Sequence, residues 1–256
     1  MKRRALFGLT LALLVVAMTL RCFADTPPSS EPKRILIVTG EDYPGHKWRQ
    51  TTPVLKSLYA RDPRFRVEVV EDLSTLPSIN LQAFDAVVMH FKNYDPNVPG
   101  RRGLDNLTRF VKQGGGLVLV HFACGAFQEF KDDFTQLAGR AWNPKLRGHD
   151  PLGEFTVNIT DRKHPITAGM QDFTIKDELY TCLDGKVPIR VLASATSKVD
   201  NKVYPIAFVL AYGKGRVFHC VLGHDVTAVS NVGAGQLFRR GTAWTARLTP
   251  VLREEK

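Results

Sequence analysis

Gly114-Gly115-Gly116-Leu117-Val118-Leu119-Val120-His121 sets a glycine turn, a purely apolar run and an imidazole in one line. The run from Leu117 to Val120 shows no polar alternation, so it reads as a strand buried on both faces, as in the interior of a parallel sheet. Just upstream, residues 102–113 place Leu104, Leu107, Phe110 and Val111 at helical spacing, and the three glycines stop that helix. A helix, a sharp stop and a buried strand make one αβ unit. The same alternation holds outward: Arg34-Ile35-Leu36-Ile37-Val38-Thr39-Gly40 as a strand, residues 48–60 as a helix, Phe65-Arg66-Val67-Glu68-Val69-Val70 and Asp85-Ala86-Val87-Val88-Met89 as further strands. Towards the C-terminus, residues 154–159 and 189–193 read as strands of a sheet extension. Residues 204–210 and 216–222 read as a hairpin around Gly213-Lys214-Gly215, and residues 235–247 as the last helix. The chain is therefore expected to be an α/β protein with a mostly parallel central sheet.

The polar chemistry falls at one kind of place. His46 follows the first strand within Glu41-Asp42-Tyr43-Pro44-Gly45-His46, His90 and His121 close two others, and His224-Asp225 follow Leu222-Gly223. The carboxyl ends of parallel strands share one rim, and ligands bind there. Four of the seven histidines on that rim predict a shared site in place of four isolated core residues. Imidazoles there can act as acid and base near neutral pH, or give nitrogens to a divalent metal with Asp42, Asp95 or Asp225 as partners. The chain holds no HExxH or other tight ligand spacing, so no cofactor is predicted and the metal question stays open. Asp177-Glu178-Leu179-Tyr180 either caps a turn or faces a polar substrate, and Trp48, Phe91, Tyr94 and Trp142 lie near the same loops, where they either anchor them or stack on a sugar ring. Cys124 lies three residues past the elbow position that His121 occupies, which argues for a small buried thiol over a nucleophile.

Composition narrows the partners. Lys2-Arg3-Arg4, the apolar residues 5–20 and Ala24 ahead of Asp25-Thr26-Pro27-Pro28 have the layout of a cleaved signal peptide over residues 1–24. This predicts a periplasmic or secreted protein with a cut after Ala24, a Pro/Ser linker over 25–33 and one domain over 34–250. Lys2, Arg3, Arg4 and Arg21 leave with that segment and no acid does, so the formal charge of +10 becomes +6. The remaining cations are scattered among acids without an interleaved aromatic run, which argues against nucleic-acid binding. No membrane association is expected after cleavage, and the oligomeric state is left open. Cys124, Cys182 and Cys220 remain in the mature chain, an odd number without a CxxC pair, so neither a disulfide framework nor a thiolate zinc site is expected.

Several segments in order carry a resemblance. They are Val38-Thr39-Gly40 with His46, Gly114 to His121 as quoted, Leu137-Ala138-Gly139 with His149, Asp161 with His164-Pro165-Ile166-Thr167, Asp177-Glu178-Leu179-Tyr180, Gly213-Lys214-Gly215-Arg216-Val217-Phe218 with Leu222-Gly223-His224-Asp225, and Arg240-Gly241-Thr242-Ala243-Trp244. Over residues 33–247 the chain resembles the ThuA-like (trehalose utilisation) family of the class I glutamine amidotransferase-like superfamily. The resemblance implies a flavodoxin-like three-layer sandwich and a role in disaccharide or oxidised-sugar metabolism. In the amidotransferase relatives a cysteine holds the elbow, where this chain has His121. The expectation is an exported carbohydrate-active protein binding a small-molecule sugar, as a hydrolase or isomerase, with His121 and His224 as acid/base residues. His46, His90, Glu178, Asp225, Trp48 and Tyr94 would bind the substrate. The alternatives are a non-catalytic sugar-binding module on the same rim and a cysteine hydrolase acting through Cys124.

Overall fold

The computed structural model describes residues 31–251. The expected signal segment, its cut after Ala24 and the linker up to residue 30 lie outside the described residues. Strand β1 (Lys33–Thr39) pairs in parallel with β2 (Phe65–Val70) on one side and β3 (Ala86–His90) on the other; β3 then pairs in parallel with β4 (Gly116–Val120). The short β5 (Ala141–Trp142) and β8 (Leu183–Asp184) form a separate antiparallel pair. The other late strands, β6 (Gly153–Ile159), β7 (Phe173–Asp177), β9 (Arg190–Thr196), β10 (Val203–Tyr212) and β11 (Gly215–Cys220), complete a nine-stranded sheet in the order β2-β1-β3-β4-β11-β10-β9-β6-β7.

The expected mostly parallel sheet is corrected to a mixed one. Five strands from β2 to β11 are parallel, and every pairing from β11 through β10, β9 and β6 to β7 is antiparallel. The hairpin read at 204–222 is the seam, because its tight turn reverses the chain where a crossover helix would have kept it parallel. Alternating burial along β6 marks a strand with one covered face, as its sequence predicts.

Each face of the sheet carries its own core. Ile35 and Ile37 of β1 pack with Leu55 and Tyr59 of α1 (Trp48–Ala60), Val229 of α4 (Val226–Ser230) and Leu237 and Phe238 of α5 (Val232–Thr245). The alternate residues Leu36 and Val38 face the other way, with Leu104, Leu107 and Phe110 of α2 (Gly100–Gln113) and Phe134 and Leu137 of α3 (Lys131–Ala138). A strand whose two faces both meet helices has no polar alternation, which is why the β1 and β4 sequences are continuous apolar runs. The last helix begins three residues before the expected start, since the Asn231 side chain caps it by accepting from the Ala234 N–H.

Candidate functional site

The loop after β1 turns at Gly40, whose φ is +129° and where a Cβ would lie 2.2 Å from the Glu71 carbonyl oxygen, so only glycine fits. Glu41 then accepts from the Tyr94 and Asp95 N–H groups, tying the loops after β1 and β3 together. Further along, His46 lies flat on Phe122 with ring centroids 4.6 Å apart. His121 sits directly after β4 with φ +48°, a left-handed conformation that is unfavourable for a side-chain-bearing residue and is found preferentially at functional sites. Its Nδ1 donates to the Val221 carbonyl at 2.8 Å, and in the neutral ring this leaves a lone pair on Nε2.

Two further groups arrive from the antiparallel half and the loop after β11. Asp177, the last residue of β7, is fully buried and accepts from the N–H groups of Gly223 at 2.7 Å, Glu178 at 2.8 Å and His224 at 3.2 Å. That carboxylate fastens the end of β7 to the loop after β11, and so brings Glu178 and His224 together. His224 Nδ1 lies 3.1 Å from Glu178 Oε2, His121 Nε2 3.6 Å from the same oxygen, and His149 Nε2 3.6 Å from Oε1. One ligand-capable atom from each of His46, His121, Glu178 and His224 lies within 4.8 Å of all the others. The Tyr180 hydroxyl reaches His121 Nε2 at 3.1 Å and His46 Nε2 at 3.3 Å, one proton between two nitrogens, while His46 Nδ1 is buried without a partner.

The electrostatics separate the members of the cluster. Burial, reinforced by the charges of His121 and His224, pushes His46 down to about 2, so its ring stays neutral. The neighbouring Glu178 carboxylate raises His224. Burial alone would raise Glu178, but His121 and His224 outweigh it and hold the carboxyl well below the usual carboxylate range. His46, Glu178 and His224 line the floor of a cavity of about 250 Å³ walled by Tyr43, Tyr94, Phe122, Trp142 and His149, with the fully buried His121 behind them. Tyr43 and Tyr94 stack on each other at 4.7 Å on its rim.

Of the residues expected from sequence, His46, His121, Glu178 and His224 converge, and Tyr94 lines the same cavity. Three expectations are corrected. His90 is fully buried behind the site, with its Nδ1 3.0 Å from the Thr52 hydroxyl and its Nε2 3.4 Å from that of Thr51. Asp225 caps α4 by accepting from the Ala228 N–H at 2.8 Å. Trp48 opens α1, is 3% exposed and is covered by the Arg49 guanidinium. The thiol reading also fails, because Cys124 is fully buried and burial pushes its thiol well above its ordinary value, opposite to an activated nucleophile. Trp142 and Tyr180, both weighed from the sequence, line the cavity as well, and His149 and Lys92 belong to it without having been expected as site residues. The Asp-Glu-Leu-Tyr cluster was the signal for Tyr180, whereas nothing in their spacing links His149 and Lys92 to the rim.

Solved structures place this architecture among known ones. A ThuA-like protein from Parabacteroides merdae is 24% identical with a TM-score of 0.78, covering 88% of this chain and 94% of its own. One from Bacteroides uniformis is 18% identical with a TM-score of 0.67, covering 87% and 96%. The β-galactosidase of Bacillus circulans shares the fold at 10% identity and a TM-score of 0.56 over 87% of this chain and 32% of that one. No curated protein matches the sequence. The model of the trehalose utilisation family, ThuA, matches residues 34–245. With that match spanning most of its length, the chain belongs to the ThuA family.

Proposed function

We propose that this protein is an exported enzyme of disaccharide or keto-sugar metabolism, and that His46, His121, Glu178 and His224 hold a divalent cation on the floor of a sugar-binding cavity. The observation that carries the reading is the meeting of those four side chains from separate segments with their ligand atoms within 4.8 Å of one another. Neutral imidazoles plus one carboxylate are the donor set of zinc, manganese, iron and nickel sites. The buried, unpartnered His46 Nδ1 and the single Tyr180 proton facing two nitrogens fit a site short of a positive centre. The Val221 carbonyl that orients His121 is the outer partner such a ligand usually has. Once bound, a cation there supplies Lewis acidity towards a sugar oxygen and a nucleophilic water near neutral pH.

The chain's own residues do the rest. Tyr43, Tyr94 and Trp142 line the cavity and supply aromatic surface to the apolar side of a sugar. The Tyr180 hydroxyl, beside both His46 and His121, holds a proton at the reacting end. Export is supported by the signal-like residues 1–24. The parallel order β2-β1-β3-β4-β11 is the 2-1-3-4-5 order of flavodoxin-like sheets and supports that sandwich as the scaffold.

A second reading is favoured by the raised His224. With no cation, the Glu178 carboxylate beside His224 favours its charged form, which would serve as general acid, while His121 Nε2 would accept a proton next to a keto group. Elemental analysis and calorimetric titration of the mature protein with zinc, manganese and nickel separate the two. One equivalent of cation bound by the wild type and lost in His121→Asn and His224→Asn is the expected result. Turnover of a disaccharide or its keto form without stoichiometric cation would move the assignment to the acid/base pair. Undiminished turnover in both variants would remove both mechanisms, whereas sugar binding with no turnover under either condition would leave a sugar-binding module.

A further inference from the structure

One cation in the cavity has no role in the cluster. Lys92 lies two residues beyond β3, half-buried in the cavity wall, and among the described residues no carboxylate lies within ion-pair reach of it. Its ammonium rests over the Tyr94 ring, 4.8 Å from the centroid. Glu41, the acid that touches the same loop, has its Oε1 engaged by the Tyr94 and Asp95 N–H groups. An ammonium drawn partly out of water with an aromatic face as its near neighbour recovers only part of its hydration.

The position is also built to hold that side chain. Gly125 has no left-handed backbone to explain it, yet a Cβ there would lie 3.0 Å from Lys92 Cδ and 3.4 Å from Cε. Leaving that residue bare makes room for the lysine stem along the wall. The ammonium is near enough to the floor that its charge helps to lower His46. A substrate bridging floor and wall would therefore present electron-rich oxygens to the cluster and a negative group to Lys92.

We propose that Lys92 binds the carboxylate of an acidic sugar, so that the pocket takes a sugar oxidised to the acid level, such as a uronic or aldonic acid. This rests on the reading of the cavity as a sugar site and narrows its substrate class. A single ammonium matches the single charge of a carboxylate, whereas a phosphate dianion is ordinarily met by several donors.

The test is calorimetric titration of the mature protein with glucuronate, glucose and glucose 6-phosphate, repeated on Lys92→Met and Lys92→Arg, with bound zinc measured in parallel. Glucuronate should bind the wild type more tightly than glucose by about tenfold to a hundredfold, the range of a charge-assisted hydrogen bond. That preference should vanish in Lys92→Met and persist in part in Lys92→Arg, with zinc content unchanged in both. Equal affinity for glucuronate and glucose in the wild type, or an undiminished preference in Lys92→Met, would overturn the assignment while leaving the sugar reading standing. A preference for glucose 6-phosphate would replace the carboxylate by a phosphate. Zinc uptake without heat from any of the three sugars would remove the sugar reading and the role of Lys92 with it. Should Lys92→Met lose zinc or melt early, Lys92→Gln serves in its place.

Discussion

Replacing Asp177 by Asn tests whether one buried carboxylate holds the two halves of the site in register. The side chain is fully buried and serves three N–H groups: Oδ2 takes Gly223, and Oδ1 takes Glu178 and His224. An asparagine has one acceptor oxygen. If that oxygen stays at the Oδ1 position, the new NH₂ faces the Gly223 N–H donor; if it flips, two donors are stranded. The cheaper orientation still loses one charge-assisted bond and leaves a buried donor without a partner, together about 2–5 kcal/mol. Burial raises the Asp177 carboxyl, so the ionised group already carries a desolvation cost that the neutral amide relieves. The net loss is then near the lower end, about 2–3 kcal/mol. For a domain of this size that is a fall in Tm of roughly 4–12 °C. Circular dichroism melts measure the stability, and zinc calorimetry measures the site, where affinity should fall because the loop that carries His224 loses its Gly223 tie to the end of β7. A Tm within about 1 °C of wild type with unchanged zinc affinity would refute the reasoning, since both effects flow from the same three bonds.

Stability should fall on mild acidification, because burial pushes His90 down to about 3 and His219 down to about 4, against 6.5 for an exposed ring. Below pH 6.5 the unfolded chain takes up protons that the folded chain refuses. The stabilisation is thus fully present above that pH and is lost as the pH falls towards the folded values, about 2 kcal/mol per histidine at pH 5. Urea unfolding at pH 7.5 and pH 5 should show the difference, and identical midpoints would contradict it. None of the three described thiols should react with a disulfide reagent in the native protein, since Cys124, Cys182 and Cys220 are buried and burial raises each of them. A single fast adduct at Cys124 would restore the cysteine-hydrolase reading.

The parallel half of the fold was legible because its physics is local. Continuous apolar runs such as Ile35-Leu36-Ile37-Val38 signal burial on both faces, and a histidine placed just past such a run can only lie at the sheet's carboxyl rim. The antiparallel edge was harder to read. Phe173-Thr174-Ile175-Lys176-Asp177 is a five-residue alternating strand that runs straight into Glu178, and the acids at its end drew the reading towards a turn. Spacing also hid the cluster, since its members stand at positions 46, 121, 178 and 224 and are joined only by tertiary structure. The misplaced residues share one cause. His90, Trp48 and Asp225 lie beside the rim in sequence, but pleat direction turns His90 towards Thr51 and Thr52, helix geometry turns Trp48 into the body, and a capping bond engages Asp225. A position on the rim therefore fixed the neighbourhood of a side chain without fixing its direction.

The four converging side chains come from loops after β1, β4 and β11 and from the far end of the sheet after β7. No partly assembled portion of the chain contains the set. Before the last strands have joined, each imidazole is separated from the next by dozens of residues of free chain, and gathering them around an ion would carry the full entropy of closing those loops. Loading of the proposed ion would therefore be a late event that follows folding, unlike the small zinc modules whose ion creates their fold. An ion captured at that stage would bridge the parallel and antiparallel portions of one sheet. Its release would then be coupled to any parting of the two, and occupancy would report whether the whole chain has reached its final form.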